Sequence, residues 1–498
     1  MKREMNRWLS LLLTLALVIT MLPVVPGSVE AKAENATVLY IKDAPGAETK
    51  TVTEDMSVSA NGWSWDADTA TLTLNGFDGE YIEATGDINI VLTGDNMITL
   101  PAAPTEDSAY GIYTDDGDIN ITGDGAGEDT LTVTQTGFTK KDVYVTGISA
   151  CDDLVITDCK VSVSFSAADT GNENGYYSRS GLAASGGSTY VCGTASVDID
   201  LTQTNHGNNG IVRGVYAQTS GTIDINIYDA DPSDETCTSG SYEGVGGIYA
   251  TGSGAINISV PNGEAIDGPI VIGETAGNIT FVGSMRVGVN SSSYMEKPKF
   301  FSIAPSKKIT VAGDESAKCG FIYKDFGGYD YGCFLIKEDG TKVTEGTITT
   351  VANNPLVFMD SDVLDHDGLI VGEGVEIKYF HGLVSGGAGG YVFRIDEETP
   401  LPAGLTLSQY SEPNLFRACI AGTLTEEAPA GSFNIIVTDA ASNTASITVN
   451  YGAIQVANPI TGVDISQEEC ILEQGDEETL TAVITPDNAS VTTLSWSS

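Results

Sequence analysis

An internal repeat constrains this chain more than any other feature of its sequence. A tetrapeptide of glycine, an aliphatic residue, any residue and a small residue begins each unit. It reads Gly111-Ile112-Tyr113-Thr114, Gly147-Ile148-Ser149-Ala150 and Gly181-Leu182-Ala183-Ala184, then Gly214-Val215-Tyr216-Ala217 and Gly247-Ile248-Tyr249-Ala250. The starts are separated by 36, 34, 33 and 33 residues, and Tyr81-Ile82-Glu83-Ala84 is a degenerate earlier copy. A second alternating run follows each first one: Ile88-Asn89-Ile90, Ile119-Asn120-Ile121, Leu154-Val155-Ile156, Ile223-Asp224-Ile225 and Ile256-Asn257-Ile258. A third is seen in Leu131-Thr132-Val133, Val161-Ser162-Val163 and Val197-Asp198-Ile199. Each unit is three short strands of period two, bounded by Gly, Asp and Asn turns. Three such strands cannot bury their apolar row alone, but stacking on similar neighbours buries it in a continuous core.

The fold class this predicts is all-β, a right-handed parallel β-helix with one unit per coil. Ile112, Ile148, Leu182, Val215 and Ile248 then form one internal ladder. Ile88, Ile119, Leu154, Ile223 and Ile256 form another. Segments 166–180, 203–213 and 229–244 project as corner loops. An antiparallel barrel or sandwich is the competing arrangement, because alternation does not fix pairing. Trp63 and Trp65 precede the first clear strand and are expected to cap the stack.

The amino terminus reads as a secretory signal peptide over residues 1–33. Lys2, Arg3 and Arg7 lead an apolar run from Leu9 to Leu22, and Ala31-Lys32-Ala33 supplies the small residues of a cleavage site. The run is short for a membrane span. The formal net charge of −45 excludes a general nucleic-acid binder, which needs a basic footprint. It also argues against docking on anionic lipid. Eight cysteines are too few and too scattered for a disulfide scaffold. Cys319 and Cys333 are the most plausible pair.

Beyond residue 300 the repeat stops, and 301–374 reads as a β-rich connecting segment. From about Val375 the runs Leu401-Pro402-Ala403-Gly404-Leu405, Ile420-Ala421-Gly422-Thr423 and Ile436-Val437-Thr438-Asp439 follow one another. Residues 375–455 thereby resemble the cadherin-like Ig modules of bacterial surface proteins. Ile460-Thr461-Gly462-Val463-Asp464-Ile465, Leu472-Glu473-Gln474-Gly475 and Leu494-Ser495-Trp496 resemble a bacterial Ig-like group 2 domain, cut short at 458–498. Both resemblances imply β-sandwich spacers. Asn61-Gly62-Trp63-Ser64-Trp65-Asp66 and Thr71-Leu72-Thr73-Leu74-Asn75-Gly76 resemble the repeat region of exported proteins of Gram-positive anaerobes, a group that includes carbohydrate binders. That resemblance covers roughly 60–300 and implies a surface β-helix.

Polysaccharide lyases and glycosidases also use β-helices, so their chemistry was sought. A lyase needs a base beside an acidic sugar. The bases of 60–290 are only Lys140, Lys141, Lys160, Arg179, Arg213 and Arg286, with no pair one coil apart on a shared strand face. A glycosidase needs two carboxylates at a set separation. Asp152-Asp153 occupies the turn that Gly117-Asp118 fills one unit earlier, so the repeat accounts for it. His206, His366 and His381 are scattered. Acidic turns at Asp115, Asp116 and Asp118, and at Asp124, Glu128 and Asp129, carry oxygen ligands suited to Ca²⁺. Solvated turns are the simpler reading, and no other cofactor is expected. Tyr113, Tyr216 and Tyr249 share one slot of the repeat and point outward if the preceding aliphatic points in. An exposed tyrosine row packs on sugars, or else shields the sheet.

These readings favour a non-enzymatic protein, secreted or displayed on the surface of a Gram-positive bacterium. Its β-helix head would bind glycan or a host or cell-surface protein, with Ig-like modules as spacers. A polysaccharide-degrading enzyme and a structural stalk are the alternatives. Nucleic acid and membrane insertion after signal cleavage are not expected.

Overall fold

A computed structural model describes residues 38–102, 108–123, 128–138, 143–167, 177–203, 208–211, 214–229, 242–287, 301–314, 319–325, 331–337, 339–358, 363–364, 369–371, 374–375, 380–381, 384–412, 415–456, 461–465 and 481–485. The segment expected to be a signal peptide, residues 1–33, and most of 458–498 lie outside these residues. What is described is nearly all β; a single 3-10 turn, Ser59–Asn61, is the only helical segment among the described residues.

Most strands pair in parallel with the strand three places further on, so the chain lays them down in three rows. The first row runs through Tyr81–Ala84, Ser108–Thr114, Val143–Ala150, Tyr177–Ala184, Asn208–Ile211 and Tyr242–Val245. The second runs through Thr71–Asn75, Ile88–Thr93, Ile119–Thr122, Leu154–Thr157, Thr189–Gly193, Val215–Thr219, Ile248–Ala250, Ile270–Ile272 and Phe301–Ile303. The third runs through Asp95–Thr99, Thr130–Phe138, Lys160–Ala167, Ser196–Gln203 and Ile223–Asp229. Two long strands, Ile256–Asp267 and Ile279–Val287, pass from the third row into the first without a turn. They merge those rows into one 20-stranded sheet, while the second row belongs to a separate sheet of 11.

The alternation sends one residue in two inward. Ile88, Ile119, Leu154 and Ile270 are each wholly buried in the second row, as are Ile82, Ile112, Ile148 and Leu182 in the first. Each such side chain contributes about 2 kcal/mol of apolar burial, and none could be buried by one unit alone.

The repeat does not stack as its spacing suggests. Ile112, Ile148 and Leu182 align, but the next residues in that row are Ile211 and Val245. Val215 and Ile248 instead continue the second row, above Leu154 and Thr189. Ile223 and Ile256 likewise leave the second row and stack on Val197 in the third. Both expected ladders are therefore correct for three coils and wrong afterwards. The reason is that Asn208–Ile211 and Tyr242–Val245, read as parts of corner loops, are strands. The true register copies are Gly210-Ile211 and Gly244-Val245, three or four residues before the copies the period selects. The middles of the expected loops 166–180 and 229–244 lie outside the described residues, as do 204–207 and 212–213 of the third.

Glycine explains the register. A Cβ at Gly111 would sit 2.6 Å from the Gly147 carbonyl oxygen and 2.6 Å from Val133. One at Gly147 would sit 2.5 Å from the Gly181 oxygen and 2.6 Å from Val163. Gly244 meets the Ala265 oxygen and Ile258 in the same way. Gly214 has only Tyr249 nearby, at 3.7 Å, so it does not fill this slot.

Antiparallel strands close both ends. Leu39–Lys42 lies against Tyr81–Ala84, and Met56–Val58, Trp63–Asp66 and Thr71–Asn75 form a meander. Trp63 and Trp65 are 3% and 2% exposed, in keeping with a cap, and Trp63 Nε1 donates to Asp43 Oδ2 over 2.9 Å. At the far end Glu345–Thr350 and Lys307–Val311 close the third row, and the hairpin of Cys319–Asp325 and Tyr331–Lys337 reaches the first. The core is continuous to Ile348, so the stack extends about 50 residues past the expected limit at 300. In the hairpin Cys319 lies opposite Lys337 and Cys333 opposite Tyr323. That register separates the two cysteines by four positions, too far to pair, and Cys319 is free, in keeping with the alternative of free thiols.

A second core gathers Phe393, Ile420, Phe433, Ile435, Val437, Val449 and Ile454, with Leu356 and Phe358 packed against it. Antiparallel pairs Leu405–Glu412 with Leu415–Thr423, and Gly431–Thr438 with Thr444–Tyr451, build it. The segment 301–374 is thus shared between the two cores. At their junction Asn354 Nδ2 donates to the carbonyls of Pro305 (2.9 Å) and Lys307 (2.8 Å). Buried Lys307 places its Nζ 2.6 Å from Thr350 Oγ1 and against the Ala276 carbonyl. Further on, Gly462–Ile465 and Ala482–Thr485 form an antiparallel pair.

Candidate functional site

The three tyrosines expected to share a slot occupy two rows. Tyr113 lies in the first, between Glu83 and Ser149. Tyr216 and Tyr249 lie in the second, where Tyr190 precedes them in register. Tyr190 follows the polar Thr189 rather than a Gly-aliphatic pair, so it carries no copy of the repeat motif.

In the second row the tyrosines form an unbroken stack. Ring centroids of Tyr190 and Tyr216 are 4.7 Å apart at 20°, and those of Tyr216 and Tyr249 are 4.4 Å apart at 3°. Parallel strands repeat at this distance, so the sheet itself sets the stacking. Burial pushes the Tyr190 hydroxyl up to about 12, helped by the charge of Asp153, and Tyr249 likewise. The ring faces are spent on one another. The stack offers solvent its edges and hydroxyls, so it is not a face-on platform for sugar rings.

The first row carries a different cluster. Tyr110 and Tyr113 flank Gly111 and stack with centroids 4.5 Å apart at 22°. Glu83 lies one strand away beside Tyr113, and the Tyr81 hydroxyl bonds to it. Tyr144 stands on the next strand, diagonal to Tyr110 and 63% exposed. Thr146, Ser149, Ser180 and Ala183 continue the same columns in register but are buried, so the exposed part of the cluster ends at Tyr144. Burial raises the Tyr113 pKa, with added charge from Asp115. Aromatic rings beside a carboxylate suit a polyhydroxylated ligand, whose C–H surface packs on rings while its hydroxyls donate to oxygen.

The acidic turns are built into the scaffold. Asp87 Oδ1 accepts from the Asp118 N–H (2.9 Å), Asp118 Oδ1 from the Asp153 N–H (2.9 Å), and Asp153 Oδ1 from the Ser188 N–H (2.8 Å). This ladder gives Asp118 and Asp153 a structural role, as the turn reading expected. Burial raises the Asp153 pKa, and the Asp118 charge adds to it. Asp129, 4% exposed, accepts from the Gly94 N–H at 2.7 Å. Asp115, Asp116 and Glu128 are exposed, and Asp124 lies outside the described residues. Among the described residues no three His, Cys, Asp or Glu side chains gather as a metal group.

Of the bases considered for lyase chemistry, Arg286 is bound to carboxylates: its Nε meets Asp267 Oδ1 at 2.8 Å and its Nη2 meets Glu264 Oε2 at 3.0 Å. Lys140, Lys141, Arg213, His206 and His366 lie outside the described residues. His381 lies opposite Ala418 in the second core, away from the stack.

Comparison with known proteins yields no relative: no protein-family model, no curated protein and no solved structure matches this chain.

Proposed function

We propose that this chain is a secreted or cell-surface, non-enzymatic binding protein whose stack of coils recognises carbohydrate. In this reading the stack is a right-handed parallel β-helix. The second core and the strands after it are Ig-like β-sandwich modules that hold the head away from the cell envelope. The reading rests on the half-buried stacked rings of Tyr110 and Tyr113, with exposed Tyr144 on one neighbouring strand and half-buried Glu83 on the other.

The test exposes the full chain to a polysaccharide panel and records retention and chain cleavage together. The expected result is retention without cleavage, with affinity falling about tenfold or more in Tyr113→Ala and Tyr144→Ala. Release of new reducing ends would overturn the non-enzymatic reading.

A further inference from the structure

The outward side of the nine parallel strands of the second row carries no charged residue, although the antiparallel strand before them turns Asp66 outward beside Thr71. Its outward residues are Thr71, Thr73 and Asn75, then Asn89, Val91 and Thr93, then Asn120 and Thr122. They continue with Val155 and Thr157, Tyr190 and Cys192, Tyr216 and Gln218, and end with Tyr249, Val271 and Ser302. Not one is Asp, Glu, Lys or Arg, in a chain of 68 acidic and 23 basic residues. The third row, by contrast, turns Asp198, Asp200 and Asp224 outward.

This face has a chemistry and a direction. Asn120 Nδ2 donates to Asn89 Oδ1 (3.3 Å), so amides stack at one end as tyrosines stack at the other. Amides, hydroxyls and phenol edges recur once per strand, about every 4.8 Å. Nine parallel strands make a strip about 38 Å long at that spacing. The corner beside it carries the carboxylates of Asp87, Asp118 and Asp153.

Three classes of occupant can be weighed. An acidic polymer would meet those carboxylates and a net charge of −45, which repel it. A second copy brings the same charge. The strip, at roughly 400 Å², is also half of the ~800 Å² that a standard protein interface buries per partner. An uncharged linear polysaccharide meets neither obstacle. Its hydroxyls match the amides and phenols, and its sugar repeat is close to the strand spacing.

We infer that the second row is an extended binding strip for an uncharged, linear polysaccharide lying along the stack, distinct from the tyrosine cluster of the first row. This rests on the carbohydrate-binding reading and adds the ligand's charge class and a second site.

The test uses the full chain with mixed-linkage β-glucan, galactomannan and polygalacturonate, and with oligosaccharides of increasing length from each. Thr122→Glu and Gln218→Glu each place one charge at an exposed position of the strip without touching the core. The expected result is binding to a neutral polymer, tightening with length and unaffected by salt, and weakened tenfold or more by either variant. Tyr113→Ala should leave this length dependence in place. Preference for polygalacturonate, or neutral binding that ignores Thr122→Glu and Gln218→Glu but is lost in Tyr113→Ala, would overturn the strip and leave the first-row site standing. Binding to no carbohydrate would overturn both.

Discussion

Single atoms decide the register of the stack. Gly147 has no room for a methyl group, because the Gly181 oxygen and Val163 already occupy the place of a Cβ. Gly147→Ala is therefore expected to cost about 2 kcal/mol by overpacking. Gly214→Ala, with its nearest neighbour at 3.7 Å, should be tolerated. Urea denaturation of both variants checks the contrast; equal loss would mean that the two glycines share one slot after all. The aspartate ladder supplies a pH test. A carboxyl with a raised pKa holds its proton more tightly when folded, so stability falls as pH rises from the usual carboxylate value through the raised one. Asp153→Asn keeps an oxygen for the Ser188 N–H and removes the charge. It should be more stable than the parent at pH 7, with the gain vanishing below about pH 4, where both forms are neutral. A gain unchanged between pH 3 and 7, read from melting temperatures, would contradict this origin.

At the scale of the element, period-two alternation in the sequence was enough to find most strands and their inward residues. It could not find register. Gly210-Ile211 and Gly214-Val215 both fit the repeat, and a nearly constant spacing of 33 residues favours the second. The physical selector is the slot beside the third-row valines, which only tertiary packing reveals. The misplaced copies carried the site with them: Tyr113 was grouped with Tyr216 and Tyr249, and Tyr190 went unnoticed behind Thr189. The closing strands after residue 300 were illegible for a related reason. They pair antiparallel and carry no repeat, so nothing local marks them as part of the same core. The junction is equally non-local. Asn354 ties two carbonyls at the end of the stack, with the Ser385 hydroxyl adding a third contact at 3.4 Å. Asn354→Ala strands those carbonyls. It should speed limited proteolysis near residue 354 several-fold while leaving both cores folded by circular dichroism. Unchanged proteolysis would mean that Asn354 does not hold the junction.

For the whole molecule, strong acidity and one uncharged strip belong to the same logic. The charge repels acidic partners, and the strip is where a neutral ligand meets no like charge on the strands. Antiparallel strands cover the near end of the stack and the far ends of its first and third rows, while Phe301–Ile303 is the edge strand of the second row among the described residues. Both tyrosine sites follow from one spatial feature: Tyr216 stands between Tyr190 and Tyr249 rather than above Ala183. In-register parallel neighbours lie within the Cα separation that a disulfide spans. The decisive measurement is oxidation of two double variants, Tyr190→Cys/Tyr216→Cys and Ala183→Cys/Tyr216→Cys, followed by peptide mapping. The three-row register predicts a linked peptide joining positions 190 and 216 and none joining 183 and 216. The reverse pattern would contradict the register, and with it the placement of both tyrosine sites.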